Sequence, residues 1–493
     1  MQLDPIQFWA RHRPNAIALT SNNEISYRVF DQAINKVGAG LLAMGVPSSG
    51  LVAIQIGSMS YLYLIERALH RMGLATVVVP SRVPPNELLG LLEPDLFLTF
   101  EEASLGAHSK TALLSREWIQ GVLEGPVVPA HAYNPKSQDR LRIVLSSGTT
   151  GTPKKILVTR ASLELRLSHL IVGMRNGYAA NEKLLVTMGP DTIAGLTFPL
   201  WCWSMGGCVV NIDARNMYEE IVRTRPNNIM MSTGQLETLI KTIPVNALAL
   251  DGMRITAMGS PVSKSLALTA SERLTKDLYI IYGSSELGSV SFGHTAVLDR
   301  HERAVGYVMP GRDVEIVDGE GSVLPTGKVG IVRVRREEVF AGYLDDAGTT
   351  SSSWRDGWFY PGDLGALSED GLLVIVGRVS EIMNLGGVKI DPVLIDEFAK
   401  TIPGVRDAAA FSIMNEAGVE APWIAIVRDE TFDAPRFRAL VLARWPELSN
   451  HKITFVDAIP RNSMMKVERQ KLKSMSRAPQ PDHPEVAREF RTD

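Results

Sequence analysis

A short apolar run, Leu141-Arg142-Ile143-Val144-Leu145, ends abruptly in Ser146-Ser147-Gly148-Thr149-Thr150-Gly151-Thr152-Pro153-Lys154-Lys155, and no other stretch restricts the chain so tightly. Leucine and β-branched residues in a run of this length predict a strand, and the hydroxyls and glycines after it predict a tight loop. Such a loop can hold phosphate. Glycine lets backbone N–H groups converge on an anion without a Cβ in the way, the hydroxyls add donors, and lysine brings positive charge. A plain polar hairpin turn would use similar residues, so on composition both readings stand. A Walker loop does not fit, because Gly148 and Gly151 are too close and no Gly-Lys-Ser/Thr follows.

At 493 residues the chain is too long for one core and predicts several lobes or domains. Its 45% hydrophobic and 21% charged residues are enough for a sizeable globular core. A formal net charge of -3 and the lack of a basic track argue against a nucleic-acid partner. Cys202 and Cys208 have apolar neighbours and no zinc-type spacing, so they read as free buried thiols of a cytoplasmic protein rather than a disulfide. Met1 to Trp9 carries Asp4 and lacks a basic segment followed by an apolar one, so no secretory signal is expected. Thr192 to Ile212 holds no charge and is about long enough to span a bilayer. Pro199, Gly206 and Gly207 interrupt it, which predicts a buried strand-turn-helix passage and no membrane span.

Elsewhere strand and helix periods alternate. Asn23 to Val46 predicts a short strand and then a helix closed by Gly45; Leu51 to Ile56 and Thr76 to Pro80 predict buried strands, with a helix over Tyr61 to Met72 between them. Ala161 to Asn176 predicts an amphipathic helix and Lys183 to Met188 another strand. This alternation favours an α/β fold, a parallel sheet covered on both faces. Val305 to Arg335 differs: short alternating strands broken by glycine turns predict a small β-rich lobe.

Five further stretches stand out: Arg254 to Pro261, Tyr282-Gly283-Ser284-Ser285-Glu286, Gly357 to Asp363, Gly377 to Ile390, and Ile459-Pro460-Arg461-Asn462-Ser463-Met464-Met465-Lys466-Val467-Glu468-Arg469. Together with the glycine-rich loop, this set resembles the adenylate-forming superfamily of acyl-CoA synthetases, peptide-synthetase adenylation domains and luciferases. The family's loop reads Ser/Thr-Ser-Gly-Thr-Thr-Gly-x-Pro-Lys-Gly, and only the last glycine departs, as Lys155. The matches span nearly the whole chain.

The resemblance implies an ATP site. Ser146, Ser147, Gly148, Thr149, Thr150, Gly151 and Lys154 would cradle phosphates, and Gly259, Ser260 and Pro261 would pack against adenine. Tyr282 offers a flat ring for the adenine, Gly283 a close backbone approach beside Ser284, and Ser285 a donor to the α-phosphate. Glu286 is a hard oxygen ligand suited to Mg²⁺. Asp363, an acceptor-only side chain, suits the ribose diol, and Arg378 would reach the ribose or a phosphate. Pro361 takes the place of the family's Thr, and Ser380 sits where an Asp or Lys hinge pivot is usual. Lys466 falls in register with the catalytic lysine, with Met464 and Met465 where Ser/Asn and Gly are usual.

The acid pocket is less defined. Asp191 could pair with a substrate ammonium, as in amino-acid-activating members, or cap the turn or helix after it. Thr192 and Gly234, the latter in Ser232-Thr233-Gly234-Gln235, fall where members build pocket walls. Trp201, Trp203 and Met205 fit an acyl or aryl pocket, or plain core.

The implied architecture is a large N-terminal domain of layered αβ lobes over 1–377, a hinge over 378–390 and a small α+β domain over 391–493. The implied reaction joins a small carboxylic acid to ATP as an acyl-adenylate, then to the thiol of CoA. A free-standing adenylation enzyme would instead load an amino or aryl acid onto the phosphopantetheine of a separate carrier protein; no fused carrier is expected, since no serine has the required setting. A nucleotide-binding regulator that has lost catalysis is the alternative of another class.

Overall fold

The computed structural model describes residues 4–477 apart from 82, 105–107, 109, 128–135, 137–138, 147–152, 175–181, 245–249, 251, 336–341, 386, 416–418 and 463–464. Contacts divide the chain into two units, one of Met1–Glu315, Arg333–Pro361 and Leu367–Val374, the other of Ile316–Val332, Gly362–Ala366 and Ile375–Asp493. The expected β-rich stretch, with strands Ala304–Val308, Asp313–Val317 and Gly330–Arg335, is thus shared between them.

Two sheets organise the first unit. The smaller runs Thr111–Leu113, Leu96–Thr99, Leu51–Gln55, Ala75–Val78, Arg140–Ser146, Lys154–Thr159. Its first five strands are parallel and the last turns back antiparallel, so that Ser146 faces Lys154 and closes the base of the glycine-rich loop. Strands such as Ala75–Val78, buried at every position, are what a sheet covered on both faces requires.

The larger sheet of this unit runs Glu24–Ser26, Ile17–Thr20, Cys208–Val210, Lys183–Val186, Asn228–Ser232, Arg254–Met258, Leu278–Ser284, Gly288–His294, Ala304–Val308. Ile17–Thr20 through Leu278–Ser284 are parallel neighbours, and Gly288–His294 returns antiparallel. The α/β reading holds.

One local expectation is reversed. The charge-free passage from Thr192 is not strand-turn-helix but helix Ile193–Ser204, a turn at Gly206-Gly207, then strand Cys208–Val210. Pro199 lies inside that helix, a position that costs about 3 kcal/mol in a solvated one. Burial of every residue from Gly195 to Ser204 outweighs it. The turn needs its glycines: Gly206 has φ +76°, and a Cβ there would lie 2.9 Å from the Trp9 ring. Both cysteines are free and buried. Among the described residues no helix is long and apolar enough to cross a membrane.

The second unit packs helices Pro392–Ala399, Ala434–Arg444 and Arg469–Arg477 with a sheet of Val405–Met414, Glu420–Arg428 and Lys452–Phe455. Much of the expected hinge is regular structure, a hairpin of Met383–Leu385 and Val388–Ile390. Met383, Leu385 and Ile390 join Ile395 and Phe437 in the core of this unit.

A buried polar network braces the smaller sheet of the first unit. Glu66 accepts from Thr76 Oγ1 at 2.9 Å and pairs with Arg142 at 3.1 Å, and Thr76 in turn meets His70 Nε2 at 2.9 Å. Arg67 Nη2 donates to His70 Nδ1 at 2.6 Å, and Arg142 Nη2 donates to the Pro190 carbonyl. The strand that enters the phosphate loop is thereby tied to the turn before helix Ile193–Ser204.

Arg142 is 1% exposed, and without it Glu66 would keep, among the described residues, only Arg67, at 3.6 Å, as an arginine partner, so Arg142→Met should lower the urea-unfolding free energy by about 3 kcal/mol. Burial and the guanidiniums of Arg67 and Arg142 hold the His70 imidazole well below its ordinary range. The unfolded chain therefore binds a proton that the folded one refuses. The contribution of His70 is full above about pH 6.5 and is lost as pH falls below it. Denaturation midpoints followed down in pH should fall less steeply for His70→Gln.

Candidate active site

The loop positions Ser147, Gly148, Thr149, Thr150 and Gly151 lie outside the described residues. What frames them does not. Ser146 and Lys154 are paired across the hairpin, and Lys154 Nζ sits 4.8 Å from the centroid of the Tyr343 ring. Lys155, in place of the family's glycine, turns its side chain to Asp345 Oδ2 at 2.5 Å and the Leu91 carbonyl at 3.3 Å. Its own carbonyl accepts from Leu344 N at 2.9 Å. Lys155 keeps its place in the strand pairing, opposite Leu145.

The parallel strands Asn228–Ser232, Arg254–Met258 and Leu278–Ser284 end side by side, and ligands in such sheets gather at those carboxyl ends. The strands are mostly buried, whereas Gly234, Ser260, Pro261, Tyr282, Ser284 and Ser285 at their ends are half-buried and Gly259 and Gly283 exposed. Side chains bind the loops together. Thr233 Oγ1 donates to the Ser260 carbonyl at 2.8 Å, Gln235 Nε2 to the Thr187 carbonyl at 2.9 Å, and Thr187 Oγ1 to Gln235 Oε1 at 2.8 Å.

The strand runs Leu278–Ser284 and pairs antiparallel with Gly288–His294, so Tyr282, Gly283 and Ser284 belong to a hairpin arm. Gly283 is obligatory there, since a Cβ would lie 2.1 Å from the Gly288 carbonyl oxygen. Ser284 Oγ accepts from Leu287 N at 3.2 Å and shapes the turn that presents Glu286.

Glu286 is 8% exposed and held from two sides. Arg166, on helix Arg160–Gly173, donates through Nη2 to the carbonyls of Ser285 at 3.0 Å and Glu286 at 2.7 Å. Burial lowers the Arg166 guanidinium to about 10, against the pull of Glu286. On the carboxylate, Tyr343 Oη donates to Oε1 at 2.7 Å. Burial, and next the Glu286 charge, keep that phenol protonated well above its ordinary range. Sequence reasoning assigned neither partner a task. Arg166 did leave a signal: it interrupts the buried stripe of Leu163, Leu167 and Leu170.

At the acid pocket, Thr192 caps helix Ile193–Ser204, accepting from Gly195 N at 3.0 Å and donating to the Gly189 carbonyl at 2.7 Å. Capping of that helix thus falls to Thr192 rather than Asp191. The Asp191 carboxylate folds over Gly189, where a Cβ would lie 2.3 Å from Oδ1. Trp203 belongs to the core: its Nε1 donates to the Ala18 carbonyl at 2.8 Å, and its ring meets Tyr63 edge-on at 5.2 Å. Trp201 is buried as well, and Met205 ends the helix.

In the second unit Asp363, 5% exposed, accepts from Arg378 Nε at 3.1 Å. Ser380 lies exposed in the turn that follows. Lys466 is half-buried nearby in electrostatic terms: burial, then the charge of Arg378, lower its ammonium below the ordinary range, while Glu381 and Asp363 pull the other way. Three of the expected residues of this unit, Asp363, Arg378 and Lys466, therefore share one electrostatic environment.

The loop around Lys466 is anchored at both ends. Arg469 pairs with the buried Asp396, and Arg461 grips Asp407 at 2.9 Å while donating to the Met465 carbonyl at 2.9 Å. Asn462 N donates to the Lys466 carbonyl at 2.9 Å, and Asn462 Oδ1 accepts from Lys466 N at 3.0 Å. Met465, where the family has glycine, takes φ +61°. The loop keeps a glycine-type backbone with a methionine in it, at a cost of about 1–2 kcal/mol. Met465→Gly removes the strain but gives back some unfolded-chain entropy, so the unfolding free energy should rise by about 1 kcal/mol, read from denaturant titration.

The family model described as AMP-binding enzyme matches residues 6–344. The 4-chlorobenzoate–CoA ligase of Arthrobacter sp is 24% identical over 97% of this chain and 95% of its own length. A medium/long-chain-fatty-acid–[acyl-carrier-protein] ligase of Mycobacterium tuberculosis is 26% identical, again over 97% and 95%. Among solved structures, the O-succinylbenzoate CoA synthetase of Bacillus subtilis with ATP and magnesium ion superposes with TM-score 0.84 at 20% identity, over 95% of this chain and 99% of that one. ATP-bound MatB from Rhodopseudomonas palustris gives 0.83 at 20%, over 97% and 99%. With two-thirds of its length matched by the family model, this chain belongs to the AMP-binding enzyme family.

Proposed function

We propose that the chain is an ATP-dependent, AMP-forming acid–thiol ligase. A carboxylate oxygen attacks the α-phosphorus of ATP, the bond to the bridging oxygen breaks, and pyrophosphate leaves with the electron pair. The thiol of CoA then attacks the acyl carbonyl of the mixed anhydride, AMP departs, and the thiol proton passes to solvent. The observation that carries this reading is the buried Glu286 carboxylate held by Tyr343, with Lys154 over the same ring, next to strand ends that carry Tyr282 and Ser285.

Two anions must meet in the first step, so the chain's work is charge compensation. Lys154 and the hydroxyls around it would hold the β- and γ-phosphates, Ser285 the α-phosphate and Tyr282 the adenine. Asp363 would accept from the ribose hydroxyls once Arg378 shares its bond. Lys466 would oppose the charge that grows on the α-phosphate. Among the described residues no cluster of three or more His, Cys, Asp or Glu could hold a metal by itself. One carboxylate with substrate phosphates is the usual Mg²⁺ arrangement, and Glu286 fits it. When bound, Mg²⁺ would neutralise phosphate charge and ease departure of pyrophosphate.

We further propose 1–377 as the nucleotide-binding domain, 378–390 as a hinge pivoting at Ser380, and 391–493 as the domain that brings Lys466 and then withdraws it. The second reading, transfer to a carrier-protein thiol, draws on the M. tuberculosis relative, whose name gives an acyl-carrier-protein ligase. Asp191 separates acids with an ammonium from those without. The regulator reading is disfavoured by the retention of Glu286, Asp363, Arg378 and Lys466.

Acid-dependent exchange of labelled pyrophosphate into ATP over a panel of aryl, acyl and amino acids, followed by thioester formation with CoA or a carrier protein, tests the proposal. Lys466→Ala should slow exchange by roughly 10²-fold with ATP affinity nearly unchanged, the usual worth of one positioned charge. Exchange at the parental rate in that variant would defeat the assignment.

A further inference from the structure

Lys154 and Lys155, successive residues at the start of strand Lys154–Thr159, take hold of one short segment at two points. Lys154 Nζ lies 4.8 Å from the centroid of the Tyr343 ring, and Lys155 Nζ donates to Asp345 Oδ2 at 2.5 Å. Main-chain contacts join the same pieces: Leu344 N donates to the Lys155 carbonyl at 2.9 Å, and Tyr343 is bridged antiparallel to Ile156. Tyr343 N in turn donates to Thr350 Oγ1, and Asp346 caps helix Ala347–Ser353 by accepting from Thr349 N, both at 2.9 Å. The segment so held carries the hydroxyl that donates to Glu286 Oε1.

The Lys155 side chain is 14% exposed, and its ammonium is shared between two elements. It donates at 3.3 Å to the carbonyl of Leu91, in the last turn of helix Pro85–Leu92, where carbonyls lack partners within the helix and a cation is favourable. Its other partner, Asp345, has φ +60°, in the left-handed region that an aspartate enters more readily than most residues but not without cost. Such a conformation persists where the surrounding contacts impose it. The Asp345 side chain is 77% exposed, so the pair adds little to stability. What it removes is freedom of the segment relative to the strand. Without the pair, ordering of the segment falls to ATP binding, and the affinity lost is bounded by what the pair contributed.

We infer that Lys155, where the family's loop has glycine, is a positioning residue for the nucleotide: it seats the 343–345 segment, and with it the Tyr343 ring and hydroxyl that face Lys154 and Glu286, before ATP arrives. The inference rests on the reading that Lys154 and Glu286 serve ATP. Lys155 acts through Asp345 and not on the phosphates.

Calorimetric titration of ATP with Mg²⁺ into the full chain, without acid or thiol, reads this without turnover. Lys155→Met, which keeps the stem and loses the charge, should weaken ATP binding about threefold, and Asp345→Asn, which tolerates the left-handed backbone, about twofold, the scale of one ion pair with an exposed partner. The double variant should bind no more weakly than Lys155→Met, since one contact cannot be lost twice. Lys155→Arg keeps charge and reach and should retain the parental affinity. In acid-dependent pyrophosphate exchange the loss should fall on KM for ATP rather than on kcat. Asp345 is largely exposed, so Asp345→Asn stands in if Lys155→Met fails to fold. Parental ATP affinity in both single variants, whatever their urea midpoints, would leave Lys155 a purely structural residue and overturn the inference. A double variant whose two losses simply add would overturn it as well. A parent that binds no ATP, or a Lys154→Met variant that binds it as the parent does, would overturn the nucleotide reading and the inference with it.

Discussion

A carboxylate taken out of water has to be compensated, and the first unit of this protein holds one such group between several distant segments. Glu286 could not be held by one partner. Its backbone is pinned by a guanidinium from the helix after the phosphate loop, and its side chain by a phenol from a segment paired with the strand that leaves that loop. Glycine at 283 lets the hairpin close tightly enough to present the residue at all. Helix Arg160–Gly173, the hairpin at Gly283 and the Gly342-Tyr343 segment are distant in sequence, and Glu286 is where they have to agree. A shift in any of them exposes or unpairs the carboxylate, so its geometry is over-determined.

A second buried acid plays the same part for the other sheet. Glu66 is matched by Arg142 and Thr76, and the chain of contacts runs on to the Pro190 carbonyl in the turn before helix Ile193–Ser204. Buried ion pairs are weak sources of net stability compared with apolar packing of the same volume. Their effect is on arrangement: Arg142 can satisfy Glu66 and Pro190 together only if the strand, the helix Met59–Arg71 and the 189–192 turn hold one relative position. That requirement gives a physical reason for a charged residue inside a run of Leu, Ile and Val.

Much of this was legible in the sequence, for identifiable reasons. Parallel strands buried on both faces show as unbroken apolar runs, so Leu51–Gln55, Ala75–Val78 and Arg140–Ser146 could be placed from residue type. The roles of Lys154, Tyr282, Glu286, Asp363, Arg378 and Lys466 came from the resemblance, which fixes chemistry by spacing. What escaped was whatever depends on partners far along the chain. Tyr343 and Arg166 become meaningful only once folding brings them to Glu286, 57 and 120 residues away. Asp191 and Thr192 are both good capping types, and only the backbone decides that the cap is Thr192. The helix over Ile193–Ser204 was misread because Pro199 and the paired glycines are breakers locally, whereas burial decides the outcome.

The electrostatics of the second unit point the same way as those of the first. Lys466 is disfavoured as an ammonium both by burial and by Arg378, with Asp363 and Glu381 as partial relief. Asp363 already serves Arg378 at 3.1 Å, and Glu381 also faces Arg469 at 3.5 Å. Neither acid is therefore given over to the lysine alone, and a phosphate beside it would add negative charge that opposes the effect of burial. An anion between Lys466 and Arg378 would turn their repulsion into attraction for a shared centre and oppose the lowering that burial imposes on the lysine. A group arranged this way is worth little to the empty fold and much to a state in which negative charge accumulates, and that difference is what a catalytic cation requires. The strain at Met465 is consistent with such a division, since it lies one residue from the amine and is borne by the fold rather than by the substrate.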